Sequence, residues 1–325
     1  MPSSVSRRRY FFARFRRLIT RGRCKMLKLG FIGAGTVGTA LAVRLGAKGY
    51  CIAAAASRSV SSAERLLRTA GQGLVCVSSQ EVADKAEFVF ITTPDDAIPL
   101  VVNQVRWHSG QYVVHCSGAD SLDVLEPARL AGAEVGSFHP LQTFASLQRA
   151  IENLPGSTFA LEAEGELFEI LKKMATDLDG KWIKLGAGDK AAYHAAAVMT
   201  SNYLVTLIKL ATDLWETFGI KRAQAINALL PLLKGTVSNI ENLGIPAALT
   251  GPIARGDAGT VRIHLNTLQE VAPEILPAYC ELGLQTIPVA QAKGKISPAQ
   301  AEEIESLLQK TLKSIVERGV KCAQC

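Results

Sequence analysis

Three sets of residues in this chain of 325 amino acids have the types and spacing to do chemistry. Gly33, Gly35 and Gly38 stand at G-x-G-x-x-G spacing, with Ala34, Thr36 and Val37 between them. A loop of this kind leaves backbone N–H groups free at the positive end of a helix, an arrangement that holds a pyrophosphate. Lys190 and His194 are four residues apart in GDKAAYHAAAVMTSN, which on a helix puts an amine and an imidazole on one face. Ser201 continues that stripe and Asn202 lies to its side. Either basic group could deliver a proton: histidine at its ordinary pKa, lysine once burial or a neighbouring charge has lowered its own. Ser57, Arg58 and Ser59 supply two hydroxyls and a guanidinium, a set suited to a phosphate monoester.

Each set needs an element to hold it. Residues 27–32 are a short apolar strand run, and the Ala/Leu/Val helix pattern that follows the glycines stops at Gly49. Strand, tight turn and helix together make the glycine loop a dinucleotide site, with Gly33 for the turn, Gly35 for close approach of the pyrophosphate and Gly38 for helix packing. The next strand run, 51–56, ends in Ser57, Arg58 and Ser59, where an NAD site usually carries an acid. A 2′-phosphate fits these residues better, so the expected cofactor is NADP. Strand 87–91 runs into a turn bearing Thr92, Thr93, Pro94 and Asp95, and strand 111–116 ends at Ser117. Ligands of doubly wound sheets lie at such carboxyl ends, which puts the Thr-Thr-Pro turn on the cofactor and Ser117 at the nicotinamide. His115 reads either as a core histidine or as part of that end. GSFHPLQTF is a further strand and turn, expected to bring His139 to the junction of two domains.

Two more strands, 158–162 and 181–185, flank a helix over 165–178. From Gly188 the hydrophobic period changes from 2 to 3.6, and helices are expected over 189–218, with Asp189 as cap, over 221–243, around His264, and over 273–292 and 297–319. The fold class is therefore α/β, a Rossmann doubly wound and mostly parallel sheet over 26–186, followed by an all-helical domain over 187–321.

The net charge of +7 belongs to the amino terminus. Residues 1–25 carry eight arginines, one lysine and no acid; without those nine, 27 basic residues face 29 acidic ones. The tail is read as a disordered extension or a start-site artefact upstream of Met26, with a transit peptide or a basic arm as the alternative. No nucleic acid or membrane partner is expected, and no apolar run is expected to reach the ~18 residues of a membrane span. Seven scattered cysteines fit a reduced, cytoplasmic protein. His139, His194, His264 and Asp257 lack metal-ligand spacing, so no metal is expected.

The glycine loop, TTPDDAI, HCSGA, FHPLQTF, GDKAAYHAAAVMTSNYL and LTGPIARGD together resemble a reductase-like family that pairs a Rossmann domain with a helical domain of unknown function. That family is related to pyrroline-5-carboxylate reductase, 6-phosphogluconate dehydrogenase and ketopantoate reductase. The resemblance implies a catalytic helix carrying Lys190 and His194, where the relatives have lysine and asparagine, and it implies a homodimer formed through the helical domain. The reaction it implies is reduction of a small carbonyl or imine by NADPH, with a 2-oxo acid such as ketopantoate among the substrates. Ser117, His139, Asn202 and Arg255 are candidates to orient that substrate, Arg255 as a carboxylate fork. The alternative is a non-catalytic NADP-binding regulator or assembly protein, which needs the glycine loop and Arg58 but neither Lys190 nor His194.

Overall fold

Strand β1 (Lys28–Ile32) is buried at every position but its first, because helices cover both faces of the sheet it belongs to. The chain then alternates strand and helix: α1 (Thr36–Ala47), β2 (Cys51–Ala56), α2 (Val60–Ala70), β3 (Leu74–Val75), α3 (Ser79–Lys85), β4 (Phe88–Ile91), α4 (Ile98–Gln104), β5 (Tyr112–His115), α5 (Glu126–Leu130), β6 (Glu134–Leu141), α6 (Leu147–Asn153), β7 (Thr158–Glu162), α7 (Gly165–Asp177), β8 (Lys181–Lys184) and α8 (Lys190–Thr200). This computed structural model describes residues 27–322, so the expectations for the basic tail lie outside the described residues.

Among the described residues the strands form one eight-stranded sheet of order β3-β2-β1-β4-β5-β6-β7-β8. Every neighbouring pair is parallel except β6 and β7. The order reverses between β1 and β4, the switch point at which open α/β sheets bind ligands. One face packs Phe31, Phe90, Phe138 and Phe159 against apolar residues of α1, α2 and α7. The other packs Ile32, Val89, Ile91 and Val113 against apolar residues of α3, α4 and α5.

Glycine is required where β1 meets α1. Gly33 has φ +102°, and a Cβ there would stand 2.6 Å from the backbone of Thr92 and Thr93. A Cβ on Gly38 would strike the Thr92 side chain and the Gly33 carbonyl. The Thr92 hydroxyl donates to that same carbonyl at 2.8 Å, which ties the glycine turn to the end of β4.

The chain divides into two compact units after Ser201, whereas the expected boundary lay near residue 186. Lys190 and His194 thus fold with the sheet. The helix expected over 189–218 is interrupted at Ser201, and α9 (Asn202–Glu216) starts anew beyond it. Asp189 holds the N-cap position of α8 as expected but makes no side-chain cap bond, because its carboxylate accepts instead from the Gly186 N–H at 2.8 Å.

In the second unit α9 is followed by α10 (Arg222–Leu243), a short turn (Ile253–Arg255), α11 (Ala258–Val271), α12 (Leu276–Ala292) and α13 (Pro298–Cys322). Val261, Leu265, Leu276, Cys280, Ile304 and Leu308 form its core. Helices α9 and α10 pack on each other yet leave Val205, Leu232, Val237 and Leu243 exposed. One correction concerns apolar length: the run Lys190–Glu216 is long and apolar enough, by length and composition, to cross a membrane. It reaches that length only across the break at Ser201, and its first residue is a lysine buried within the first unit.

Candidate active site

The amino end of α1 and the carboxyl ends of β1, β2, β4 and β5 meet at the switch point. No side chain caps α1 and no acid stands in its first turn, so its leading N–H groups are left for an anion. A Cβ on Gly35 would meet nothing within 4 Å, which leaves the backbone of the loop open to close approach. Ala34 is buried in the core, and Thr36 and Val37 begin the helix. Ser57, Arg58 and Ser59 follow β2 directly; Arg58 is exposed and makes no ion pair among the described residues. Thr93 keeps a buried hydroxyl without a protein partner, and Pro94 is exposed beside it. The local residues fit a phosphorylated dinucleotide: uncapped N–H groups, an open glycine and an uncommitted guanidinium.

Beyond β5 a second group of side chains converges. The Ser117 hydroxyl donates to Asp95 Oδ2 at 2.8 Å and accepts from the N–H groups of Ala119 and Asp120 at 3.1 and 2.9 Å. These bonds fix the loop so that the Ser117 carbonyl receives the Lys190 ammonium at 2.5 Å. Lys190 is only 3% exposed. Burial pulls its pKa down to about 8, while Glu162, Cys116, Asp120 and Asp95 pull in the opposite direction. It therefore keeps its proton at neutral pH but releases it far more readily than a surface lysine.

One helical turn on, His194 reaches the same loop. A Cβ on Gly118 would stand 2.6 Å from His194 Nδ1 and 2.8 Å from His139 Nε2, so the absence of a side chain at Gly118 lets both imidazoles close on that backbone. The two rings lie edge to face with centroids 6.2 Å apart. His139 Nδ1 shares a hydrogen bond of 2.7 Å with the Tyr193 hydroxyl, and His194 Nδ1 is buried without a protein partner. Burial lowers the His139 pKa to about 4, with help from Lys190 and His194, so the ring is neutral at physiological pH. Burial raises Tyr193 to about 12.

Four residues singled out from the sequence, Lys190, His194, Ser117 and His139, are thus brought together within the first unit. Asn202 and Arg255 belong to the second unit, where Asn202 is exposed at the start of α9 and Arg255 is exposed with its guanidinium 3.9 Å from Asp257. His115 is a core histidine. Fully buried, it accepts from the Ser117 N–H at 3.2 Å, and burial with the nearby Lys190 and His139 lowers its pKa to about 3. Sequence reasoning missed Tyr193, although its i+3 spacing from Lys190 was a usable signal, and it missed Glu162, whose place depends on pairing between strands. Burial pushes the Cys116 thiol up to about 12, so it is protonated at neutral pH. Among the described residues no cluster could hold a metal ion.

Residues 20–140 match the Rossmann-like domain and residues 157–286 match a domain of unknown function, DUF2520. A Thermotoga maritima protein whose name states no activity is 29% identical, with TM-score 0.66, over 81% of this chain and 99% of that one. A Bacteroides fragilis protein provisionally named as an NADP oxidoreductase is 26% identical, with TM-score 0.64, over 81% and 98%. Pyrroline-5-carboxylate reductase of Streptococcus pyogenes, 18% identical with TM-score 0.57 over 86% and 99%, shares the fold. No curated protein sequence matches the chain.

Buried His115 and half-buried His139 make stability depend on acidity. Their folded pKa values of about 3 and about 4 lie below the ordinary 6.5, so on acidification the unfolded chain takes up protons that the folded chain refuses. Stability from these groups is flat above about pH 7 and falls as pH drops from 6.5 towards 4, by up to about 1.4 kcal/mol per pH unit for each ring. Urea unfolding between pH 7.5 and 4.5 should show a shallower fall in His139→Gln than in the parent. Equal slopes would mean that His139 titrates normally in the folded state.

Proposed function

We propose that this chain, a Rossmann-like domain joined to a helical domain of unknown function, is an NADP-dependent oxidoreductase that reduces a small carbonyl or imine compound. The observation that carries the reading is the Lys190 ammonium, buried against the Ser117 carbonyl within the same unit as the glycine loop. The first two glycines, the α1 N–H groups and the Thr-Thr-Pro turn hold the dinucleotide, and Ser57, Arg58 and Ser59 select its 2′-phosphate. NADPH brings a hydride. The protein must bring a proton to the oxygen or nitrogen that becomes anionic, and Lys190 Nζ, charged at neutral pH and lowered to about 8, is the donor. Tyr193 fixes the His139 ring through their hydrogen bond, leaving Nε2 of His139 and Nδ1 of His194 to orient the substrate over Gly118.

The finer parts of the reading have separate supports. Arg255 and Asn202 are exposed polar groups of the second unit suited to a carboxylate, which favours 2-oxo acids, ketopantoate among them. The exposed apolar side chains of α9 and α10 suit a second copy of the chain, as a homodimer through the helical unit. Free Cys51, Cys76, Cys116 and Cys280 suit the reducing cytoplasm.

The direct experiment is a panel of 2-oxo acids, ketopantoate included, and cyclic imines, scored by NADPH consumption. At least one class should be reduced, with kcat falling as pH rises through about 8, where Lys190 loses its proton. Lys190→Met should lower kcat by about 10²–10⁴ and leave NADPH affinity almost unchanged. Consumption of NADPH that ignores Lys190 would remove it as the donor.

Cofactor choice is read independently of turnover. Arg58→Ala should weaken NADPH about 10-fold or more, as expected for losing one charge-assisted contact, and leave NADH nearly unaffected in a fluorescence titration. Equal weakening of the two cofactors would limit Arg58 to shaping the loop.

A further inference from the structure

Strand β5 stops where its backbone pairing stops. The Cys116 N–H donates to the Ile91 carbonyl at 3.2 Å, as the last bond between β5 and β4, and the chain then turns away at Ser117. The Ser117 N–H is the first without a strand partner. Ser117 is buried, and a buried N–H left unpaired is costly. His115, two residues back on the same strand, supplies the acceptor: its Nδ1 takes that N–H at 3.2 Å.

The residue held in this way is the one on which Lys190 sits. The Ser117 carbonyl accepts from Lys190 Nζ at 2.5 Å, so a single residue's backbone separates the ammonium from the imidazole. Beyond Ser117 the turn is fixed by its hydroxyl, through Asp95 and the N–H groups of Ala119 and Asp120. On the strand side the hold on the Ser117 N–H is His115.

That hold works in one tautomer only. An N–H donates to a bare ring nitrogen, so Nδ1 carries no proton and the neutral ring keeps its proton on Nε2. In the other tautomer two N–H groups would face each other. His115 Nε2 is buried without a hydrogen-bond partner, and so are Ser137 Oγ and Glu162 Oε2. Register sets the three in one row on one face of the sheet, with His115 opposite Ser137 on β6 and Ser137 opposite Glu162 on β7. A hydroxyl and a carboxylate oxygen in that row can accept the Nε2 proton through buried water. The Ser121 backbone also bears on the ring, outside hydrogen-bond geometry of Nε2.

We propose that His115 is a positioning residue for Lys190: its bare Nδ1 extends the sheet's hydrogen bonding by one N–H beyond β5 and so fixes the Ser117 turn whose carbonyl seats the ammonium, while the row of Ser137 and Glu162 keeps the ring in that tautomer. The inference rests on the reading of Lys190 as the proton donor and deepens it, since it names the group that sets where the donor sits. An apolar ring in place of the imidazole leaves the Ser117 N–H unpaired and loosens the turn. An asparagine, with an oxygen near the place of Nδ1, restores the acceptor.

The test is NMR of 15N-labelled protein, without substrate. In His115→Phe, exchange with water should quicken about tenfold or more at the Ser117 amide and at the Lys190 ammonium, with the Val89 amide of the same sheet unchanged, and His115→Asn should restore the parent rates. Unchanged rates at Ser117 and Lys190 in folded His115→Phe overturn the proposal. Should His115→Phe fail to fold, the parent answers: His115 Nδ1 should resonate as an unprotonated nitrogen coupled across the hydrogen bond to the Ser117 N–H, and a protonated Nδ1 overturns the proposal. In Ser137→Ala with Glu162→Leu the other tautomer should become detectable; an unchanged ring there gives the hold on Nε2 to Ser121 and overturns the part assigned to the row. The expected rates in a protein that reduces nothing with NADPH would support the positioning and remove the reductase reading, so the two fail separately. If both stand, His115→Phe lowers kcat with NADPH affinity kept, and His115→Asn recovers most of the loss.

Discussion

A single buried charge organises this site. An ammonium taken out of water costs several kcal/mol unless the protein replaces what water gave it. For Lys190 the replacement is the Ser117 carbonyl at 2.5 Å and a surround of carboxyl groups. That requirement accounts for much of the local architecture. The Ser117 loop is braced by three hydrogen bonds so that its carbonyl cannot turn away. Gly118 has no side chain, so α8 can lie close enough to bring Lys190 down together with Tyr193 and His194. His115 and His139 stay neutral, because a second positive charge there would be costlier still.

A buried lysine with a lowered pKa is a stability cost, and proteins keep such costs mainly where they serve chemistry. The same unit offers two very different environments for ligands. At the glycine loop the partners are backbone groups, helix ends and an exposed guanidinium, which suit an anion and tolerate water. Beyond β5 the partners are buried and titratable, which suits a step in which a proton moves. Strand order brings these environments side by side, since β1, β4 and β5 are consecutive in the sheet.

Sequence alone made the local features legible. The glycine loop, the strands ending at Ser57, Thr92 and Ser117, and the Lys190 to His194 spacing all depend on near neighbours along the chain. The sheet up to β6 follows from alternating strand and helix patterns. What stayed hidden is non-local. Glu162 looks like the end of an ordinary strand until antiparallel pairing of β7 with β6 sets it opposite Ser137. His115 could be read as core or site, and only its burial and its bond to the Ser117 N–H decide for core. The break at Ser201 leaves no trace in the hydrophobic pattern, because Ala, Met, Thr and Ser continue smoothly into Asn202 and Tyr203. Asp189 looked like a cap since acids favour that position, but a nearer N–H, that of Gly186, captured its carboxylate.

The central claim is that the Lys190 ammonium and the nicotinamide meet at the carboxyl end of β5. The most direct measurement is the Lys190 midpoint, by 13C NMR at lysine Cε, in the complexes with NADPH and with NADP⁺. The oxidised ring carries a positive charge and the reduced ring does not, so a lysine beside it must release its proton at lower pH in the NADP⁺ complex. The account predicts a midpoint lower by half a unit or more with NADP⁺ than with NADPH. Identical midpoints in two saturated complexes would place the ring away from Lys190 and contradict the account.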